Sequence, residues 1–265
     1  MNVLIIGRGR VGNGLRRSLE ASDTLEVSAT GRRCRPSRVA AADAIVLAVS
    51  DGSITSVARA IAPNLKRGAT VLHCAGALGA EELEACRASG AAVGVMHPLV
   101  SFASKQRSPS LRGTTFTVNG SRRAVATSRR IAKACGARVV LGETGGAGYH
   151  AAAALAANGA AALAFVSVGL LERLGFERRG AERAIGGLLH SVAENVQSLG
   201  VPGALTGPIA RGDSEVVSNH RAALRGLSPD ALAAYDSVVP IIVGCARAAG
   251  LGRTKASEIL RITKR

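Results

Sequence analysis

Val3-Leu4-Ile5-Ile6-Gly7-Arg8-Gly9-Arg10-Val11-Gly12 stands almost at the start of the chain. Four apolar residues in a row read as a short strand buried on both faces. Leu15 and Leu19, with polar residues between them, read as the helix that follows. The glycines therefore form GxGxxG in a strand–turn–helix setting, the arrangement that binds a dinucleotide pyrophosphate. Gly7 permits the tight turn, Gly9 lets backbone approach the phosphates, and Gly12 lets the helix pack on the strand. Orphan N–H groups at the helix start supply the positive end for that anion. Gly7, Arg8, Gly9, Arg10, Val11 and Gly12 are accordingly assigned to the cofactor.

The second strand, Leu25 to Thr30, should end at the adenine ribose, where an Asp or Glu would accept from an NAD 2′-hydroxyl. This chain instead has Thr30-Gly31-Arg32-Arg33, with Arg35 nearby. Guanidinium groups suit a 2′-phosphate through paired, charge-assisted hydrogen bonds. The expected cofactor is thus NADP(H), held by Arg32 and Arg33. The alternative is that these arginines merely face solvent.

Strands and helical spacers then alternate, which marks a parallel, doubly wound sheet. Ala44 to Val49 runs into Ser50-Asp51, Thr70 to Cys74 into Ala75-Gly76-Ala77, and Ala92 to Met96 into His97-Pro98-Leu99-Val100-Ser101-Phe102. Ligands of such sheets bind beyond the carboxyl ends of the strands. Ala48, Val49, Ser50, Cys74, Ala75, His97 and Pro98 are therefore cofactor candidates, and Ser101 a substrate candidate. A structural role for His97 in its proline turn is an equal alternative. Lys105 to Gly113 reads as a loop. Thr114 to Asn119, a helix over Ala124 to Cys135, and Arg138 to Leu141 extend the same sheet. Glu143-Thr144-Gly145-Gly146 marks the boundary between a nucleotide-binding domain (1–143) and a second, helical domain (144–265).

The second domain opens on the alanine-rich run Ala147 to Gly175, too long for a strand and rich in the best helix former. A helix of that length spans roughly 40 Å. It is apolar almost all round, so the expectation is that it is buried. On it, Asn158 lies about 80° around from His150 and about 12 Å further along. Tyr149 points roughly the other way from Asn158. A membrane span has the same length, but Asn158, Ser167 and the near-neutral alanines make a weak insertion signal. Buried His and Asn are also common as satisfied core residues.

Beyond Gly175 the pattern stays helical, as in Ile185, Leu188, Leu189, Val192, Val196 and Leu199. Between two such helices, Leu205 to Asp213 holds Thr206, Arg211 and Asp213 within eight residues among two glycines and a proline. That is a binding loop in which Arg211 suits a substrate carboxylate and Asp213 orients Arg211 or His150. The plainer alternative is a helix-linking turn with Asp213 as N-cap.

A chain of 265 residues, 47% hydrophobic, allows one large domain or two ordinary ones, with real cores. The five cysteines are odd in number and contain no CxxC pair, which argues against disulfides and structural zinc and for a reducing cytoplasm. The net charge of +16 raises the possibility of nucleic acid. The basic residues are dispersed rather than blocked, however, and 2% aromatic content leaves little for base stacking. No nucleic-acid, membrane or metal partner is expected.

With these residues in view, the whole chain resembles a bacterial family of Rossmann-like proteins whose C-terminal helical domain is of unknown function. The matching segments are Gly7 to Gly12, Leu47 to Asp51, His97 to Phe102, Tyr149 to Ala153 and Ala204 to Asp213. More distantly it is similar to pyrroline-5-carboxylate reductase, ketopantoate reductase and the hydroxyacid dehydrogenases related to 6-phosphogluconate dehydrogenase. In those relatives a long helix begins the second domain and carries catalytic polar groups, commonly Lys with Asn one turn later. Here that lysine is missing, and His150 is its substitute by position only.

The resemblance implies an NADP-dependent oxidoreductase. In it His150 protonates the substrate and Asn158 orients it, while Thr206, Arg211 and Asp213 hold a carboxylate. A 2-keto acid such as ketopantoate leads the substrate classes, then a cyclic imine, then a prephenate-like acid. A non-catalytic NADP(H) sensor or scaffold is the other class. Ala160-Ala161-Ala162 and Gly186-Gly187 permit close helix approach, so a homodimer through the second domain is expected.

Overall fold

The computed structural model describes residues 1–20, 22–104, 106, 108–143 and 145–264. Lys105 and Arg107 of the expected loop and Thr144 of the expected boundary lie outside the described residues.

Apolar runs of four to seven residues form the strands, and amphipathic segments between them form the covering helices. In chain order these are β1 (Asn2–Ile6), α1 (Arg10–Leu19), β2 (Glu26–Thr30), α2 (Pro36–Ala41), β3 (Ala44–Leu47) and α3 (Ile54–Ile61). β4 (Thr70–His73), α4 (Glu84–Ala88), β5 (Ala92–Pro98), β6 (Thr115–Gly120), α5 (Arg122–Ala134) and β7 (Arg138–Leu141) follow. They make a seven-stranded sheet in the order β2-β1-β3-β4-β5-β6-β7. All neighbours are parallel except β5 and β6, which pair antiparallel from Gly94–Gly120 to Pro98–Phe116. Among the described residues no crossover helix separates those two, so the chain turns back on itself, whereas every parallel step needs a crossover.

One apolar layer packs α1 and α5 on the sheet through Leu15, Leu19, Phe116 and Ile131. The other packs α3 and α4 on the opposite face through Ile54, Val57, Ile61, Leu83 and Cys86. Two covered faces explain why β1, β3 and β4 are near-continuous in apolar residues.

The remaining chain is helical: α6 (Ala147–Arg173), α7 (Arg178–Leu199), α8 (Pro208–Arg211), α9 (Ser214–Leu227), α10 (Pro229–Ala248) and α11 (Arg253–Ile262). The chain divides into two compact units, Met1–Leu155 and Ala156–Arg265, so the first turns of α6 go with the sheet and the rest with the helices. The second unit has its own core of Ile209, Val217, Val239, Val243, Ala246, Ala256 and Ile259.

The expectation that the long helix is buried needs correction. Of the 27 residues of α6, Val168 is the buried one. Leu155 and Phe165 are 78% and 75% exposed. Composition records that α6 avoids water; it does not say that the same chain must provide the cover.

Candidate functional site

The glycine turn is shaped by backbone crowding. Gly7 has φ +129°, and its N–H donates to the Thr30 carbonyl at 2.9 Å, tying β1 to the end of β2. A β-carbon on Gly7 would stand 2.1 Å from the Ala48 carbonyl oxygen, and one on Gly12 would stand 2.1 Å from the Gly7 carbonyl oxygen. At Gly9 the nearest atom to a β-carbon is Ala48 O at 4.0 Å. Two glycines therefore close the turn and the middle one leaves space. Gly9 caps α1 in extended backbone with no side chain satisfying the first-turn N–H groups, and no acidic residue follows in that turn. Uncapped N–H donors, a positive dipole end and an open glycine fit a pyrophosphate. Arg8 and Arg10 are exposed beside them, and Asn13 Nδ2 donates to the Arg8 carbonyl at 3.3 Å.

Next to this cradle, the end of β2 carries exposed Arg32 and Arg33. Arg32 Nη1 donates to Ser53 Oγ at 3.1 Å, and the Ser50 and Ser53 hydroxyls are 2.9 Å apart. A guanidinium and two hydroxyls thus meet where a ribose 2′-substituent belongs. The donor set fits a phosphate. Ser53 carries no local signal in the sequence, because its pairing with Arg32 arises only when the segments after β2 and β3, on either side of β1, reach each other across the β1 end.

At β4, Cys74 and Ala75 are buried. Burial pushes the Cys74 thiol up to about 12, so its side chain is neutral packing material and only backbone is available to a ligand. His73, fully buried just before them, went unnoticed in the sequence. The Ala75 N–H donates to its Nδ1 at 3.2 Å, so the proton sits on Nε2, which donates to the Gly79 carbonyl at 2.8 Å. Burial holds this imidazole below its ordinary pKa. His73 thus fixes the turn from Cys74 to Gly79. On that turn dock Gly145, whose β-carbon would meet Gly79 Cα at 2.6 Å, and Gly146, whose N–H donates to Ala77 O at 2.9 Å.

That docking places the first turn of α6 against the end of β5. His97 Nδ1 lies 2.8 Å from the Tyr149 hydroxyl, and the rings meet edge to face with centroids 5.6 Å apart. The other side of the His97 ring lies on Gly76, where a β-carbon would be 2.8 Å from Cε1. Burial first, then the charge of His150, holds His97 below its ordinary pKa, against the opposing influence of Asp51. Pro98 is buried behind it, whereas Ser101 is exposed. Tyr149 went unassigned in the sequence. Its local signal is only an aromatic hydroxyl in the first turn of the long helix; the histidine it meets is set by the tertiary structure.

His150 is exposed, as is Asn158. They share α6, but His150 goes with the first unit and Asn158 with the second. In the second unit Arg211 Nε donates to Asp213 Oδ2 at 3.0 Å, so Asp213 orients Arg211 and makes no side-chain cap on α9. Thr206 is exposed before Gly207, and Lys255 Nζ donates to the Arg211 carbonyl at 3.3 Å. Among the described residues, no three His, Cys, Asp or Glu side chains gather to hold a metal ion.

Residues 114–240 match a family model described as a domain of unknown function, DUF2520. No curated protein sequence matches the chain. Among solved structures, a Thermotoga maritima protein is 24% identical with a TM-score of 0.67, covering 93% of this chain and 99% of that one. A Plasmodium falciparum pyrroline carboxylate reductase with NADP bound is 14% identical with a TM-score of 0.61, covering 99% and 98%. A Coxiella burnetii pyrroline-5-carboxylate reductase is 16% identical with a TM-score of 0.60, covering 95% and 99%. The fold is that of Rossmann-type oxidoreductases with a helical C-terminal region.

Proposed function

We propose that the protein is an NADP(H)-dependent oxidoreductase that reduces a C=N or C=O bond in a small, carboxylate-bearing substrate. The observation that carries this reading is the open Gly9 cradle beside the Arg32–Ser53 pair. Together they present donors for a pyrophosphate and for a 2′-phosphate. The α1 N-terminus, Arg8 and Arg10 would hold the pyrophosphate, Arg32 and Arg33 the 2′-phosphate, and the backbone at Ala48, Val49, Cys74 and Ala75 the remaining ribose and ring. When bound, the cofactor supplies the hydride. In the second unit Arg211, which Asp213 orients, is a donor of the kind that pairs with a carboxylate. The heteroatom then needs a proton, which the first turn of α6 supplies.

A cyclic imine is favoured over a 2-keto acid, because two pyrroline carboxylate reductases share the fold along nearly the whole chain. Fluorescence titration with NADPH, followed by NADPH oxidation against a panel of cyclic imines and keto acids, tests the reading. Saturable binding with turnover of an imine is the expected result. Saturable binding without turnover points to a sensor, and absence of binding removes the reading.

We further propose that the working form is a homodimer in which the bare face of α6 meets a second copy. Its mean hydropathy of 1.9 over a membrane-length window is matched by small residues that allow close helix approach. A membrane is the poorer cover, since the same helix begins with Tyr149 hydrogen-bonded to a strand-end histidine. All five cysteines are free thiols, which supports a reducing cytoplasmic location.

A further inference from the structure

The first turn of α6 offers two proton-bearing side chains, and the fold treats them differently. His150 is exposed and makes no side-chain hydrogen bond among the described residues. Tyr149 is half-buried, with its hydroxyl 2.8 Å from His97 Nδ1. The His97 ring is in turn confined between Tyr149 and the Gly76 backbone. That backbone belongs to the turn which His73 fixes and on which Gly145 and Gly146 dock. Each contact lies within Met1–Leu155, and together they fix one phenol at the carboxyl edge of the sheet that also bears the glycine turn. A group held in one geometry loses little freedom on reaching the transition state, whereas an exposed imidazole without a hydrogen-bond partner must be ordered first.

We propose that Tyr149 is the proton donor of the reductive step, with His97 as the positioning residue that holds its phenol and restores its proton. The proposal rests on reading the site as that of a nicotinamide-dependent reductase. The His97–Tyr149 bond has two possible directions. With the imidazole proton on Nδ1, His97 donates to the phenol oxygen, and the phenol proton points away towards a substrate. With the phenol donating to Nδ1, that proton is occupied. The first arrangement is the working one.

In the step itself, hydride arrives at the carbon of the C=X bond and the π pair moves onto X. X then forms its bond to the Tyr149 proton as the phenol O–H bond breaks. The phenolate is stabilised by the Nδ1–H of His97. It regains a proton from Nδ1 while Nε2 takes one from water, and the hydroxide left behind is neutralised by solvent. Tautomer exchange through water then returns the imidazole proton to Nδ1 for the next turnover. Oxidation runs through the same atoms in reverse, with the phenolate as base. His97 is suited to this relay because burial first, then His150, holds its imidazole towards the neutral form, with Asp51 and His73 the other groups acting on it.

The test combines a readout of the bond with one of turnover. The His97 imidazole is followed by NMR, assigned by the loss of its resonance in His97→Asn among five histidines. If Nδ1–H donates to the phenol, that acceptor favours the imidazolium, so in Tyr149→Phe the His97 titration midpoint falls. A rise, or no change, means that the phenol donates to Nδ1 or that the pair is not formed, and overturns the proposal. In turnover, Tyr149→Phe should lower kcat by roughly 10²- to 10⁴-fold, the usual contribution of a general acid. NADPH binding, read by fluorescence, should be retained. The opposite order, with His150→Ala showing the deeper loss in kcat, also overturns it. Failure of the wild-type protein to bind NADPH would sink the reductase reading instead, and the imidazole titration is independent of that result.

Discussion

Gly7 passes so close to Ala48 that a β-carbon on it would lie 2.1 Å from the Ala48 carbonyl oxygen, in backbone at φ +129°. Gly7→Ala therefore meets both a forbidden dihedral and a collision with main chain, neither of which a side-chain rotation relieves. The expected loss is about 2 kcal/mol or more of stability. Gly9→Ala has space for its methyl and should fold normally while losing NADPH affinity, because the methyl enters the path of the pyrophosphate. Thermal melts and NADPH titrations of the two variants separate these effects. Equal stability of both would contradict the packing described here.

Arg32 donates to Ser53 at the edge of the cradle, and its guanidinium is the group proposed above to hold a 2′-phosphate. A charge-assisted hydrogen bond contributes about 1.5–3 kcal/mol. Arg32→Ala should weaken NADPH binding about 10- to 100-fold. NADH binding, with no phosphate to lose, should change little. Isothermal titration with both nucleotides checks this, and an equal loss for the two would show that Arg32 does not read the 2′-position.

His73 gives the first unit a pH dependence whose sign can be stated. Burial holds its folded pKa below the ordinary 6.5, so below pH 6.5 the unfolded chain binds a proton that the folded chain refuses. Stability is full above that pH and declines as pH falls from 6.5 through the folded value, by at most about 1.4 kcal/mol per pH unit for one proton. His97, depressed for the same chief reason, adds in the same direction. The Asp43 carboxyl, held down by Lys66, acts only below its ordinary 3.8. Urea unfolding at pH 8, 6 and 5 should show the decline, and His73→Leu should be less stable but flatter in its pH profile.

In the second unit, Arg221 is buried and grips Asp236 with two parallel bonds, Nε to Oδ1 at 2.7 Å and Nη2 to Oδ2 at 3.0 Å, while Nη1 donates to the Ile262 carbonyl. Arg221→Met leaves a largely enclosed carboxylate without its partner and should cost about 3 kcal/mol. A paired Asp236→Leu should recover part of that loss, since the unpaired charge goes with it. Denaturant curves of the single and double variants measure both effects.

Phe165 and Leu155 are the most exposed large apolar side chains of α6. If a second copy covers them, the protein sediments as a dimer, and Phe165→Arg shifts it to monomer by placing a charge in an apolar contact. A monomeric wild type at micromolar concentration would remove the dimer proposal.

Local signals made most of the first unit readable. β7 keeps the expected bounds Arg138 to Leu141, β6 is shifted by one residue at both ends, and the other strands differ by one or two residues at one end, as at β5, which continues through His97 to Pro98. The antiparallel step between β5 and β6 was not legible, because periodicity reports which face is apolar and carries no information on direction. Within the candidate site, the glycine turn and the arginines at the end of β2 were legible, since their chemistry depends on neighbours in the chain. His97 and Tyr149 are 52 residues apart, and nothing in either neighbourhood marks them as partners.

The sequence alone determined that a strand, a glycine turn and a helix would stand at one edge of the sheet, with the helix start uncapped. The required conformations are local: a positive φ, an extended cap and an uncapped helix start. Only the tertiary structure decided which polar groups meet at that edge. The His97–Tyr149, Arg32–Ser53 and Arg221–Asp236 pairs depend on where packed elements come to rest, and packing is set by the whole core. The tertiary structure also left α6 uncovered, because an apolar helix needs some apolar surface, and its own chain is only one source of it.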